Sequence, residues 1–346
     1  MPNDKDKQNI LIIGLNWLGD AVMSLPAIQR LHEFFPDGDI YVLCRDSLKE
    51  VYRNSSAVTD TLPFSTGGKF ISTLKTGVSM RKYNFKACVV LPRSWRSAVI
   101  AYLSLSPVRI GYKNSLRELL LTGSMPRGRF LTRHRVEYYT GLLSLLGADA
   151  APAIPQIAVS SEAVAGARAR LQALGTGANG MFIGFCPGAV YGNAKRWLPE
   201  RYAELAKKII TVYNAKILIF GNTAEKQIGD ELAGAAGMPG SIFNLAGTTG
   251  IGELAAMISL CRAFVTNDTG AMHIAAAVGV PVAAVFGPTD PVTTSPYGNG
   301  HIVISRNLPC APCLKRECPA AHECMEAVTV DEVYDAVQRI LTRSGI

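Results

Sequence analysis

The chain has 346 residues, of which 48% are apolar and 18% charged, and a formal net charge of +8. These values describe two globular domains with well-filled cores and exclude a disordered or fibrous chain. No apolar run approaches the roughly 20 residues that span a bilayer, and the mixed-charge start MPNDKDKQ with its short apolar run after it is no secretory signal. A cytoplasmic protein is the expectation.

In chain order, the first half alternates short β-branched runs with helical patterns. Strands are expected at Ile10–Gly14, Ile40–Cys44 and Ala87–Leu91, and helices at Ala21–Phe35, Ser47–Arg53 and Phe70–Arg81. Leu146–Ala163, rich in Ala, Pro and Ser, reads as a linker. After a helical stretch at Ala163–Leu174, a second series places strands at Phe182–Phe185, Lys216–Phe220, Ala263–Thr266 and Val282–Phe286. Helical patterns follow at Pro199–Tyr213, Ala224–Ala236, Gly252–Cys261 and Ala271–Val278. The expected fold is α/β: two Rossmann-like, doubly wound domains facing a cleft, residues 1–160 and 161–346. The last amphipathic helix, 330–344, is a candidate to pack back on the N-terminal domain.

In such sheets ligands sit beyond the carboxyl ends of the strands, and the chemistry-bearing motifs fall there. The loop GLNWLGD, Gly14–Asp20, carries Asp20 where a phosphate loop needs lysine, and Asn16 and Trp17 break a dinucleotide fingerprint. Neither an NTPase nor a dehydrogenase is supported. Asp20 is either a plain helix cap or a catalytic carboxylate at a strand end. In FCPGAVYGNAKRW, Lys195 and Arg196 stand just before a helix start, where cations and unpaired N–H groups suit a diphosphate. In TNDTGAMHIAAA, Asp268 is expected to cap a helix whose first N–H groups, with Thr269 and Gly270, face an anion, and His273 lies on the first turn. Glu225, beyond another strand end, is placed to take a ribose diol. Such a set suits group transfer, with a held diphosphate leaving and an acid taking a proton from an incoming hydroxyl.

Charge is unevenly spread. Between Ser65 and Arg135 stand 14 Lys and Arg against one acid, Glu118, which leaves 21 basic and 26 acidic residues elsewhere. A segment of +13 on a slightly acidic remainder is a footprint for an anionic partner.

Taken together, the three motifs resemble the ADP-heptose–lipopolysaccharide heptosyltransferases of glycosyltransferase family nine, over nearly the whole chain. The resemblance implies a GT-B fold and inverting transfer of heptose from ADP-heptose, with no cofactor required for transfer. The acceptor it implies is the first heptose of the lipopolysaccharide inner core, on Kdo and lipid A. By the same resemblance Asp20 matches the general base, Lys195 the lysine near donor phosphate and sugar, and Glu225 the ribose acid. Asp268, Thr269, Gly270 and His273 match phosphate and heptose contacts, and Thr249 falls in the adenine-side loop. Arg93, Arg96, Lys113 and Arg117 become candidates to hold the acceptor's phosphates and Kdo carboxylates. Anionic lipid attracts nearby basic residues at roughly 1 kcal/mol each, so peripheral association with the inner membrane is expected without an anchor.

Three other readings stay open: a sister heptosyltransferase with another core acceptor, a nucleotide-sugar epimerase of similar architecture, and a binding protein driven by the basic segment. An epimerase has no use for that segment, and nucleic acid is not expected because aromatics do not interleave with the cations. Cys44, Cys88, Cys186 and Cys261 read as buried thiols. Cys310, Cys313, Cys318 and Cys324, with His322 among them, are spaced either for a structural zinc or as a reduced Cys-rich loop.

Overall fold

The computed structural model describes residues 8–64, 70–128, 132–177 and 180–343. Contacts divide the chain into two compact units, Met1–Gln156 and Ile157–Ile346. The first is built on a parallel sheet of β1 (Ile10–Ile13), β2 (Ile40–Cys44), β3 (Asp60–Pro63), β4 (Ala87–Val90), β5 (Val108–Tyr112) and β6 (Gly123–Met125). Its strand order is β3-β2-β1-β4-β5-β6. The second contains β7 (Phe182–Cys186), β8 (Lys216–Ile219), β9 (Ile242–Asn244), β10 (Cys261–Asn267), β11 (Val282–Phe286) and β12 (Ile302–Ser305), ordered β12-β11-β10-β7-β8-β9. Both orders are the doubly wound pattern of a Rossmann-like fold, and the crossovers reverse direction beside β1 in one unit and beside β7 in the other.

The central strands are continuous apolar runs because helices cover both faces of a parallel sheet. β1, β4, β7 and β11 are buried at every position. Outer strands look different. All three residues of both β6 and β9 are half-buried, and these two, with β3, β5 and β12, are the strands that the reading by pattern does not contain. The first core gathers Leu11, Ile13, Leu43, Val90 and Ile100. The second is organised around Trp197, the largest fully buried side chain, whose indole Nε1 donates to the Val328 carbonyl at 3.0 Å.

One expectation changes. The single helix at Ala21–Phe35 is two helices, Leu18–Met23 and Leu25–Phe34, with Pro26 in the first turn of the second. Pro26 has no N–H to continue the ladder, and the Ser24 hydroxyl donates to the Ala21 carbonyl at 2.7 Å, closing the first helix. The apolar face of the terminal helix Val330–Arg343 lies in the core of the second unit. Val330, Val333, Val337, Ile340 and Leu341 join the second core, with Trp197.

The helices Phe70–Ser79 and Trp95–Leu103 approach closely through Gly77. A Cβ at Gly77 would lie 2.6 Å from the Leu103 Cβ, so Gly77→Ala is expected to lower stability by about 1–3 kcal/mol, the usual cost of overpacking; chemical denaturation measures it.

Candidate functional site

In the first unit the chain leaves β1 through Gly14. Its N–H donates to the Leu43 carbonyl at 2.9 Å, and the Tyr52 hydroxyl beside it accepts from Leu15 N at 3.2 Å. A Cβ at Gly14 would meet that hydroxyl at 3.1 Å, so the exit from the strand is tightly packed around this glycine. Asp20 then sits in the first turn of Leu18–Met23. The N-cap is Trp17, with no side-chain cap bond, so Asp20 does not cap the helix. Its Oδ1 instead accepts from the Tyr139 hydroxyl at 2.9 Å. Burial pushes the Tyr139 phenol well above its ordinary range, and the adjacent Asp20 charge adds to this. The phenol therefore stays a proton donor, holding the carboxylate in one orientation.

The acceptor candidates lie at the same edge of the sheet, since β4 and β5 run parallel to β1. Arg93 follows β4 and is exposed; Lys113 follows β5 and pairs with Glu118 at 3.2 Å. Arg96 is half-buried, stacked over the Phe64 ring at 4.6 Å and donating to Ser72 Oγ at 3.4 Å. Arg117 corrects the expectation. It is fully buried, donating to the Pro92 carbonyl at 2.9 Å, and burial lowers its pKa. Gly111 leaves the room for it, because a Cβ there would lie 3.0 Å from Nη2. Arg117 thus ties the β4 end to the following turns instead of presenting charge. Lys69 and Arg129 of the basic segment lie outside the described residues.

In the second unit the site gathers where β7 and β10 end side by side. Lys195 Nζ donates to Asp268 Oδ2 at 2.5 Å, and the two side chains are only 12% and 7% exposed. Asp268 is therefore not the helix cap that its position suggested. The N-cap of Gly270–Ala277 is Thr269, with no side-chain cap bond, because the nearly buried carboxylate is engaged by the lysine. The helix N-terminus is left to its backbone N–H groups, an arrangement suited to an anion. Beside it, Arg196 Nε is buried with no hydrogen-bond partner, and His273 is buried in the first helical turn.

Glu225 is also buried. Its Oε2 accepts from Asn222 N at 2.9 Å within a capping box, and Oε1 lies toward the turn after β7. A Cβ at Gly188 would come within 2.2 Å of the Glu225 Cδ, so that turn is open only to glycine. Below, burial pushes the Cys186 thiol up to about 12, with the Glu225 charge adding to it, so it stays neutral. Half-buried Thr249 follows Thr248, whose carbonyl and hydroxyl accept from Arg170 at 3.1 and 2.8 Å.

Three further residues support these groups, and two of them, Tyr139 and Asn267, have no role in the sequence reading. Tyr139 holds Asp20. Asn267, fully buried at the β10 end, donates to the Pro187 and Gly188 carbonyls at 2.7 and 3.1 Å and accepts from Trp197 N at 3.0 Å. His322 Nε2 bonds the Ala194 carbonyl at 2.8 Å, and Ala194 N donates to the Arg316 carbonyl at 3.0 Å. The Cys-rich segment thus props the loop that carries Lys195. Its thiols are close enough that Cys318, Cys310 and Cys313 add to the burial raising the Cys324 pKa. Among the described residues, however, no group of three or more His, Cys, Asp or Glu side chains is arranged to hold a metal ion. The His322 ring is engaged by the Ala194 carbonyl, and Cys324 is buried while Cys310 is exposed.

The profile of glycosyltransferase family 9 (heptosyltransferase) matches residues 73–323. The chain is 29% identical to lipopolysaccharide heptosyltransferase 2 of Salmonella typhimurium, covering 97% of this chain and 99% of that protein. It is 33% identical to lipooligosaccharide heptosyltransferase 2 of Haemophilus influenzae, covering 86% and 88% respectively. The solved structure of Escherichia coli ADP-heptose LPS heptosyltransferase II superimposes with a TM-score of 0.85 at 27% identity, covering 98% of this chain and all of that one.

Because Asn267 joins two strand ends and the Trp197 backbone, Asn267→Leu strands two buried carbonyls and an N–H. Stability should fall by about 3 kcal/mol, as read by urea denaturation.

Proposed function

The chain belongs to glycosyltransferase family 9, the heptosyltransferases, and from that premise we propose how its own residues carry out transfer of L-glycero-D-manno-heptose from ADP-heptose to the first heptose of the lipopolysaccharide inner core. The observation that carries the reading is the buried Lys195–Asp268 pair beside a helix N-terminus that no side chain caps. The donor's diphosphate lies against the N–H groups of Gly270 and Ala271, with Lys195 and Arg196 adding positive charge. Asp268 orients Lys195, Glu225 accepts from the ribose hydroxyls, and His273 and Thr269 line the sugar and phosphate side. Thr249 belongs to the adenine-side loop.

Asp20 takes the proton of the acceptor hydroxyl as its oxygen bonds to the anomeric carbon of the heptose. The bond from that carbon to the diphosphate oxygen breaks, and ADP leaves with the electron pair. Attack from the face opposite the leaving group inverts the anomeric centre. The leaving charge is met by cations and amides already in place, so no reorganisation is needed at that moment. Arg93, Lys113 and Arg96 hold the phosphates and Kdo carboxylates of the acceptor, with Arg117 fixing the turn behind them. The acceptor is lipid-linked, and the reading places the enzyme at the cytoplasmic face of the inner membrane. Among the described residues no helix is long and apolar enough to cross a membrane.

Asp20→Asn should leave ADP binding by calorimetry unchanged while turnover drops by about a hundredfold or more, the range of general-base loss; a normal rate removes the assignment. Tyr139→Phe takes away one bond to the carboxylate and is expected to cost about tenfold in kcat with the donor KM unaltered. Lys195→Ala should raise the donor KM about tenfold, and an unchanged donor titration would put the diphosphate elsewhere. ADP release that needs the acceptor separates transfer from epimerisation.

A further inference from the structure

The helix Phe70–Ser79 is built inside out. Its inner face, packed on Trp95–Leu103, is Thr73, Thr76 and Gly77, all buried. Its outer face carries Phe70, Ile71 and Val78, which are 69%, 63% and 46% exposed. With half-buried Leu74 these positions fall on one helical stripe, at i, i+1, i+4 and i+8. A soluble helix has the opposite polarity, so this one keeps a large apolar stripe in water at a cost in free energy. The neighbouring helix does the same with Trp95 and Tyr102, half-exposed at 48% and 50%. The two are held side by side by close approach at Gly77 and by Arg96 Nη2 donating to Ser72 Oγ at 3.4 Å.

Charge says what covers this face. From Phe70 to Arg117 the chain has no acidic residue. On or just beyond the outward helix, Lys75 and Lys82 are exposed. Exposed apolar side chains with exposed lysines in the same acid-free stretch of chain match a bilayer whose surface carries anionic headgroups: the rings and aliphatic groups enter the acyl boundary and the ammonium groups meet phosphates. A second copy of this cationic face would be repelled by it.

We propose that the helices Phe70–Ser79 and Trp95–Leu103 form a membrane-docking face that seats on an anionic bilayer. The proposal rests on the functional reading only in that a lipid-linked acceptor lies in such a surface. The test is co-sedimentation of the full chain with vesicles of phosphatidylethanolamine and phosphatidylglycerol, beside vesicles of phosphatidylcholine alone. The parent should partition onto the anionic vesicles, and Phe70→Ser combined with Ile71→Ser should weaken that partition by about tenfold. Both side chains are largely exposed, so the variant keeps its fold and its turnover of a deacylated, water-soluble acceptor. Val78→Ser provides an independent single change with the same direction. Partition of the double variant equal to the parent overturns the proposal. So does a parent that sediments as a dimer which the variant splits with vesicle binding intact, since a second copy then covers the face. If the parent fails to turn over the soluble acceptor, the functional reading falls, and the vesicle result is still read in full.

Discussion

One nearly dry ion pair organises the second unit. Lys195 and Asp268 come from loops after different strands, and each would be costly to bury without the other. Pairing them draws the loop after β7 onto the end of β10, beside a helix whose N-terminus has only backbone donors. Asn267 makes the same connection one residue earlier by bonding the carbonyls of Pro187 and Gly188. An ammonium group has three N–H donors, so Lys195 can stay on Asp268 and still reach a phosphate oxygen. In the proposed reading the pair serves as a preset cation, with its direction fixed before the donor arrives.

The first unit applies the same principle with opposite charge. A carboxylate at the exit from β1 is held by the hydroxyl of a buried tyrosine from a distant helix. In both units the important group follows a central strand beside the point where the strand order reverses. Crossovers leave in opposite directions there, the point at which doubly wound sheets generally open a crevice at their carboxyl ends. Cations in the first unit are sorted by burial. Arg93 and Lys113 remain outside, whereas Arg117 is drawn in and used to brace the turn that supports them.

The Cys-rich segment illustrates how local chemistry can be redirected by packing. Its spacing suits a metal, but its ordered contacts run to the Lys195 loop. Tyr191 donates to the Leu314 carbonyl at 2.9 Å, and the Arg316 guanidinium lies 5.1 Å from the centre of the Tyr191 ring. A segment far along the chain is thus part of the support for a residue more than a hundred positions earlier.

Central strands, both sheets' α/β character and the positions of Asp20, Lys195, Glu225 and Asp268 at strand ends were legible because they depend on short-range pattern: apolar runs, glycine exits, helix starts. The outer strands β3, β6, β9 and β12, and β5 beside them, were not, since these short strands are exposed or half-buried at some positions and lack the fully buried runs of the sheet centre. Nor was the break at Ser24 and Pro26, where the helical pattern continues across two helices. Composition and spacing by themselves determined that a carboxylate, a lysine and an aspartate would sit at strand ends of two doubly wound sheets, because backbone hydrogen bonding and side-chain period are local properties. Only the tertiary structure decided their partners: Tyr139 on Asp20, Lys195 on Asp268 in place of a helix cap, Arg117 turned inward, His322 on the Ala194 carbonyl. Those contacts join residues tens to more than a hundred positions apart, and which buried charge meets which counter-group is settled by packing, a property that no window of sequence contains.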